Sequence, residues 1–356
     1  MLQFIGRKDI EMRLPTAAIL ALIPLCALAL QQEKPTFSVK VAEVQIAATV
    51  KDKDGKMNPN LRKEDFILEE EGKPQEIEYF GRQSDLGLTI GLLVDTSLSQ
   101  RTLLQEERRA SLQFFDQVLR PEKDLAFIIS FDVEAGLLAD LTGDVKQLDA
   151  ALGRAQLPAN ERGRAVGRQG RGGRPGGGRG GGFGAMGTVL YDAAFLAADD
   201  ILKNQTGRKA IILISDGVDV GSIESLDSAI EAVQRADTVL YSIRYYDENA
   251  YASAARFGRG MPRGRGGRRG PGIGQQLPDG KKILQKLSEE TGGGLFEVSR
   301  KLPLTEIFSR IQEELRSQYI IGYTPAKADS KAFRRISLRA KDKNLKVYCR
   351  SGYYPR

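Results

Sequence analysis

The most informative part of this sequence is residues 88–99, which read Leu88-Thr89-Ile90-Gly91-Leu92-Leu93-Val94-Asp95-Thr96-Ser97-Leu98-Ser99. The apolar part, residues 88–94, predicts a buried β-strand. Asp95, Ser97 and Ser99 then alternate, so a loop leaving the strand can turn all three toward one point. Oxygen-bearing side chains of this kind are the ligands that Mg²⁺ and Ca²⁺ prefer. Asp and Ser are also common in turns, so this pattern needs support from elsewhere in the chain.

Two later segments add oxygen donors at matching places. Thr188 stands at the start of a predicted helix that begins at Val189. Asp216 follows a second apolar run, Ala210–Ile214, and precedes Gly217. The carboxyl ends of parallel strands meet at one edge of a sheet, where ligands bind in open α/β sheets. We therefore predict that these oxygen donors converge on one divalent cation: Asp95, Ser97, Ser99, Thr188 and Asp216.

From Leu88 onward, apolar runs alternate with amphipathic segments, which indicates a mostly parallel sheet with helices on both faces. The predicted strands are Leu88–Val94, Leu125–Phe131, Ala210–Ile214, Val239–Ile243 and Leu295–Val298, with Leu137–Leu141 as an antiparallel edge. The predicted helices are Leu103–Leu119, Val145–Leu152, Val189–Leu202, Ile223–Arg235, Lys281–Thr291 and Leu304–Tyr319. The predicted fold class is therefore α/β with a doubly wound, Rossmann-like sheet.

Together, the D-x-S-x-S sequence, Thr188 and the Ser215-Asp216-Gly217 sequence resemble the metal-ion-dependent adhesion site of von Willebrand factor type A domains. The resemblance covers roughly residues 85–308. It implies that Ser97, Ser99 and Thr188 contact the metal, and that Asp95 and Asp216 hold it directly or through water. It also implies an open coordination position that takes an acidic group from a partner. The resemblance leaves Mg²⁺, Mn²⁺ and Ca²⁺ as candidate ions, of which Mg²⁺ is our first choice.

Both ends of the chain predict short antiparallel strands. Period-two alternation marks residues 37–49, with further strands at 67–74 and 76–80. The C-terminal strands are predicted at 319–323, 335–340 and 346–349, the last two as a hairpin-like pair. We expect an N-terminal β module, 36–84, completed as a small β-sandwich by residues 319–356, with the A domain, 85–318, inserted between them. This arrangement resembles a bacterial, acidobacterial-type group of von Willebrand A-related exported proteins.

The N-terminus predicts export. Arg7, Lys8 and Arg13 precede an apolar run that ends at Ala27-Leu28-Ala29, which is typical of a secretory signal peptide over residues 1–30. Cleavage would place the protein in the periplasm or outside the cell. An uncleaved segment would instead anchor it in a membrane.

Two arginine–glycine segments, residues 160–187 and 256–274, contain twelve arginines and 21 of the 39 glycines. They carry a charge of +11 against a total of +7, so the rest of the chain is mildly acidic, near −4. Such segments predict solvated loops. They also leave open the capture of an acidic partner or surface polyanion. Export and the scarcity of aromatic residues in them disfavour nucleic acid.

The sequence favours a non-enzymatic, metal-dependent binding module whose partner is a protein or surface polymer with an accessible carboxylate. The chain has no histidine, which excludes a Ser-His-Asp triad and a His₃ zinc site. It also has no P-loop. A second interpretation is an enzyme that uses Asp95 as nucleophile, as in aspartate-based phosphatases, although Ser97 stands where those carry an acid. A third is a structural protein whose A domain has lost its function. The oligomeric state is left open.

Overall fold

The computed structural model describes residues 44–82, 86–97, 104–155, 188–245, 279–325 and 332–355. The predicted signal peptide, Ser99 and both arginine–glycine segments lie outside the described residues. Among those that are described, no helix is long and apolar enough to cross a membrane.

The secondary structure follows the predicted alternation closely. The strands are β1 (Val44–Lys51), β2 (Phe66–Glu70), β3 (Lys73–Gln75), β4 (Tyr79–Arg82), β5 (Leu88–Asp95), β6 (Leu125–Phe131), β7 (Ala135–Thr142), β8 (Arg208–Ser215), β9 (Val239–Arg244), β10 (Leu295–Glu297), β11 (Tyr319–Tyr323), β12 (Arg334–Ala340), β13 (Lys346–Tyr348) and β14 (Gly352–Tyr353). The helices are α1 (Leu104–Val118), α2 (Val145–Ala155), α3 (Leu190–Phe195), α4 (Leu226–Arg235), α5 (Gly280–Thr291) and α6 (Leu304–Arg316).

A six-stranded sheet forms the centre, with the strand order β10-β9-β8-β5-β6-β7. Neighbouring strands are parallel except for β7, which pairs antiparallel with β6 at the edge. Every residue of β5 is buried, because helices cover both faces of the sheet. The predicted α/β class, with a doubly wound and mostly parallel sheet, is confirmed.

The two faces of the sheet form separate hydrophobic cores. One core joins Leu92 and Val94 of β5 to Phe114 of α1 and Phe308 of α6, whose rings stack with centroids 4.7 Å apart. On the other face, small side chains of α3 and the turns after it pack against β5, β6 and β8. Both cores hold β5 rigidly, which fixes the position of its last residue, Asp95.

Strands from both chain ends build the remaining β module. One sheet has the order β13-β1-β11-β4 and the other has the order β14-β12-β2-β3. In the first, β11 lies between β1 and β4, so a C-terminal strand separates two N-terminal ones. The two sheets share a core that includes Ile46, Leu68, Tyr319, Ile321 and Leu338. The predicted antiparallel β-sandwich made from both ends is confirmed.

A buried ion pair connects this module to the helical layer. Lys51 of β1 pairs with Glu314 of α6, and both side chains are largely buried. Burial raises the pKa of the Glu314 carboxyl, while the charge of Lys51 lowers it. Removing either residue would leave an uncompensated buried charge, which is strongly destabilising. The pair therefore links β1 to α6.

Some predicted features differ from the structure. The hairpin-like pair at 335–340 and 346–349 is wrong: β12 pairs with β2 and β14, whereas β13 pairs with β1 in the other sheet. β13 instead forms the edge of the other sheet beside β1, where Val347 packs against the core between the sheets. The helix predicted from Ile223 begins instead at Leu226, because Ser225 caps its first turn and Ile223 is 95% exposed.

The helix predicted at Val189–Leu202 is interrupted. It runs as α3 to Phe195, widens into a π-helical turn over Leu196–Ile201 and ends in a 3₁₀ turn. Its buried face consists mostly of alanines, whose small side chains are compatible with both α-helical and π-helical hydrogen bonding.

Candidate metal centre

Asp95 ends β5 and is 1% exposed. Its Oδ1 accepts a hydrogen bond from the backbone N–H of Ser97 at 2.9 Å, which turns the chain sharply after the strand. Thr96 still donates its N–H to the Phe131 carbonyl at 2.9 Å, which extends the pairing with β6 by one residue. The turn therefore starts from a fixed point at the carboxyl edge of the sheet.

Ser215 connects Asp95 to the neighbouring strand. Val94 is in register with Ile214, so the residues that follow them, Asp95 and Ser215, lie side by side. The Ser215 hydroxyl donates to Asp95 Oδ2 at 2.8 Å and accepts the Gly217 N–H at 3.0 Å. Both Asp95 oxygens thus have a fixed donor, and the Ser97 side chain also hydrogen-bonds to this carboxylate.

Asp216 follows directly and is 4% exposed. Its Oδ1 accepts the Val218 N–H at 2.9 Å. The chain leaves through Gly217, whose φ of +87° favours glycine. A Cβ on Gly217 would lie 2.2 Å from the carbonyl oxygen of Gly280, at the start of α5. The glycine therefore lets the Asp216 turn pack against α5.

Thr188 belongs to the same edge. Its carbonyl accepts the N–H groups of Val220 and Gly221, at 3.1 and 3.3 Å, which ties it to the loop after Asp216. The next residue, Val189, donates its N–H to the Asp132 carbonyl after β6, at 2.9 Å. Thr188 is thereby held between the loops that follow β6 and β8.

Two nearby aspartates outside the candidate set hold the loops. Asp219 Oδ1 accepts the N–H groups of Leu190 and Tyr191, at 2.8 and 3.3 Å, and so caps α3. Asp132 Oδ1 accepts the N–H of Val133 in a tight turn. Both residues thus serve in turns and helix capping.

Negative charges of acidic side chains act on one another at the carboxyl edge of the sheet. Burial, followed by the negative charge of Asp216, raises the pKa of the Asp95 carboxyl to about 6, against hydrogen bonds from Ser97 and Ser215 that lower it. Two carboxylates that disfavour each other's ionisation can be stabilised together by a cation.

Glu107 is an acidic residue of this region that the sequence interpretation missed. It is 2% exposed on α1, and burial, then the charges of Asp95 and Glu106, raise its pKa to about 8. The sequence indicates the unusual position of Glu107, because it stands three residues before Ala110 and seven before Phe114, on the apolar face of the helix. Glutamate is seldom fully buried unless it is paired, so its presence on the helix face that packs against the core is unusual.

The residues present fit a hard divalent cation. Asp95 and Asp216 supply two buried carboxylates, Ser97 follows Asp95 in its turn, and Thr188 is bonded to the loop after Asp216. All four side chains offer oxygen donors. Within the described ranges, no three Cys, Asp or Glu side chains are close enough to hold an ion by themselves. Hydroxyls and water would therefore complete the coordination shell. Ser99, the fifth predicted ligand, lies outside those ranges.

A separate cavity of about 670 Å³ lies at the opposite edge of the sheet. Its lining includes Arg208 and Val239, which begin β8 and β9, and Tyr353 of the β module. It is remote from the carboxyl ends of the strands and does not contribute to the candidate centre.

Comparisons with known proteins give matches only among solved structures. No family model and no curated protein sequence matches the chain. An aerotolerance-related membrane protein from Bacteroides fragilis is 16% identical, with a TM-score of 0.39 over 65% of this chain and 98% of that one. The conserved hypothetical protein BatB from Bacteroides thetaiotaomicron is 17% identical, with a TM-score of 0.37 over 64% and 98%.

Proximal thread matrix protein 1 from the mussel byssus, solved with a zinc-occupied MIDAS motif, is 11% identical with a TM-score of 0.42. That match covers 69% of this chain and 49% of the byssus protein. At these identities and TM-scores, the function of the chain has to be argued from its own residues.

Proposed function

We propose that this chain is an exported binding module that uses a divalent cation to capture an acidic group of a partner. Asp95, Ser97, Ser99, Thr188 and Asp216 hold the ion, for which Mg²⁺ is the first candidate. The partner is a protein or surface polymer whose carboxylate completes the coordination shell. Residues 85–318 form the binding domain in this proposal, and the strands from both chain ends support it.

One observation carries the proposal. Two neighbouring parallel strands end in buried carboxylates, Asp95 and Asp216, with the Ser215 hydroxyl bonded to the first of them. Their negative charges interact, and that interaction contributes to the raised pKa of Asp95. A cation coordinated at this edge would turn an unfavourable pair of charges into a favourable set of ligands.

The residue at position 97 disfavours the phosphatase interpretation. Aspartate-based phosphatases carry an acid two residues after the nucleophile, whereas Ser97 stands there and has no carboxyl to protonate a leaving group. Glu107 has the raised pKa of a general acid, but it lies on α1 and not at that position. Binding therefore remains the better interpretation.

Capture from an envelope fraction tests this function. We expect immobilised protein to retain a partner in Mg²⁺, to release it in EDTA, and to recapture it when Mg²⁺ is restored. Asp216→Asn should fail to capture it, because the ion loses a carboxylate. Blocking the partner's carboxylates with a carbodiimide and an amine should also abolish capture.

Asp140→Asn is the matched control for charge. Asp140 is an exposed carboxylate on β7, and its Oδ1 accepts only the neighbouring Leu141 N–H among the described contacts. This variant should capture the partner as wild type does. Capture that is equal in EDTA and in Mg²⁺ would rule out the metal-dependent mechanism.

A further inference from the structure

Glu107 is a buried carboxyl that the proposed ligand set does not use. It lies in the first turn of α1, 2% exposed, on the same side as Ala110 and Phe114. Its neighbour Glu106 is exposed, so the two adjacent glutamates have opposite surroundings. The chain therefore places a carboxyl inside the molecule where an apolar side chain would pack more favourably.

Neither Oε1 nor Oε2 of Glu107 has a hydrogen-bond partner in the described part of the chain. A buried polar group without a partner costs free energy, and a buried carboxylate costs more than a neutral group. Buried polar atoms in native proteins are nearly always satisfied, by protein, water or an ion. Two orphaned oxygens on one side chain therefore indicate a missing partner.

The surroundings of Glu107 indicate what kind of partner is missing. The charges that act on it come from Asp95 and Glu106, and both are negative. Asp95 is itself buried and acted on by Asp216. A nearby cation would stabilise the ionised form of Glu107, and no described basic side chain hydrogen-bonds to its oxygens.

We propose that Glu107 belongs to the cation site as a carboxylate that accepts hydrogen bonds from water molecules around the ion. Direct ligation is disfavoured, because no three described acidic side chains are close enough to share an ion. A carboxylate one water away still attracts the ion and orients its hydration shell. Mg²⁺ keeps several of its waters when bound, which suits such a position.

This role rests on the proposed cation site and adds a third negative charge to it. With Asp95 and Asp216, Glu107 gives the centre a formal charge of −3, against +2 for the ion. Without the ion, a partner carboxylate that enters the open position would meet the full charge of −3, and with the ion a net charge of only −1. Glu107 would thus make capture depend more strictly on metal.

The test is Mn²⁺ affinity, measured from the electron paramagnetic resonance signal of the free ion. Glu107→Gln keeps the shape of the side chain and removes its charge. We expect it to weaken Mn²⁺ binding at least ~10-fold, the lower end of the effect of outer-shell carboxylates. Glu106→Gln, one residue away and exposed, should change affinity less than ~2-fold.

Thermal melting with and without Mn²⁺ separates this role from a structural one. The rise in melting temperature produced by Mn²⁺ should shrink in Glu107→Gln, whereas the metal-free melting temperature should not fall. Wild-type Mn²⁺ affinity in Glu107→Gln, at any melting temperature, would overturn the role of Glu107 alone. Absence of Mn²⁺ binding by the wild-type protein would overturn the site as well. If Glu107→Gln does not fold, Glu107→Met provides the same comparison.

Discussion

Deletion of residues 318–356 is expected to unfold the N-terminal β module, although more than 200 residues separate the two parts in sequence. The deletion removes β11, which pairs with β1 on one side and with β4 on the other. It also removes Tyr319, Ile321 and Leu338 from the core of the module. Hydrogen exchange should show residues 44–82 losing protection. Deletion of residues 355–356 alone is the control and should leave them protected.

A single substitution tests the same point without truncation. Ile321 is fully buried between the two sheets, so Ile321→Ala should lower the free energy of unfolding by about 2–5 kcal/mol. Val133→Ala, at an exposed position, should change it by less than about 0.5 kcal/mol. If residues 44–82 remain protected from exchange after deletion of residues 318–356, the two chain ends fold independently and the expectation is wrong.

Stability of the metal-free protein is expected to fall as the pH rises from about 5 to about 8. The carboxyl pKa values of Asp95 and Glu107 are raised to about 6 and about 8, from ordinary values of 3.8 and 4.5. The folded state therefore binds these protons more tightly than the unfolded chain does. The stability that they contribute is complete below pH ~4 and is lost as the pH passes the folded pKa values. Together the two groups should account for a few kcal/mol.

Urea unfolding in EDTA at pH 5, 6, 7 and 8 measures this dependence. The groups that act on the pair are Asp216 and Glu106, together with hydrogen bonds from Ser97 and Ser215. Glu107→Gln should flatten the profile above pH 6, because Gln does not titrate. Mg²⁺ should restore stability most at pH 8, where the carboxylates are ionised. Identical pH profiles for wild type and Glu107→Gln would contradict the expected cost of ionising Glu107.

The pattern of apolar residues in the sequence predicted most of the fold, because strands that are buried on both faces consist of consecutive apolar residues. Strands such as β5 and β6 are continuous apolar runs, and β6 has the predicted bounds, Leu125–Phe131. The pairing of β13 was not predictable in this way. It depends on which edges other strands already occupy, and that is a property of the whole sandwich.

The candidate site was predictable only in part. Asp95 and Asp216 could be placed at one edge because each follows an apolar strand, and the structure puts their charges within reach of each other. The Ser215 contact with Asp95 required the register of β5 and β8, which sequence does not supply. Glu107 was detectable as a charge on an apolar helix face, but its closeness to Asp95 depends on how α1 packs.

The central claim is that Asp95 and its neighbours bind one divalent cation, and titration calorimetry tests it most directly. The wild-type protein, titrated with Mg²⁺ and separately with Mn²⁺, should bind one ion per chain. Asp95→Ala should bind none, and Asp140→Asn should bind as wild type does. Equal binding heats from wild type and Asp95→Ala, or no binding by wild type, would contradict the claim.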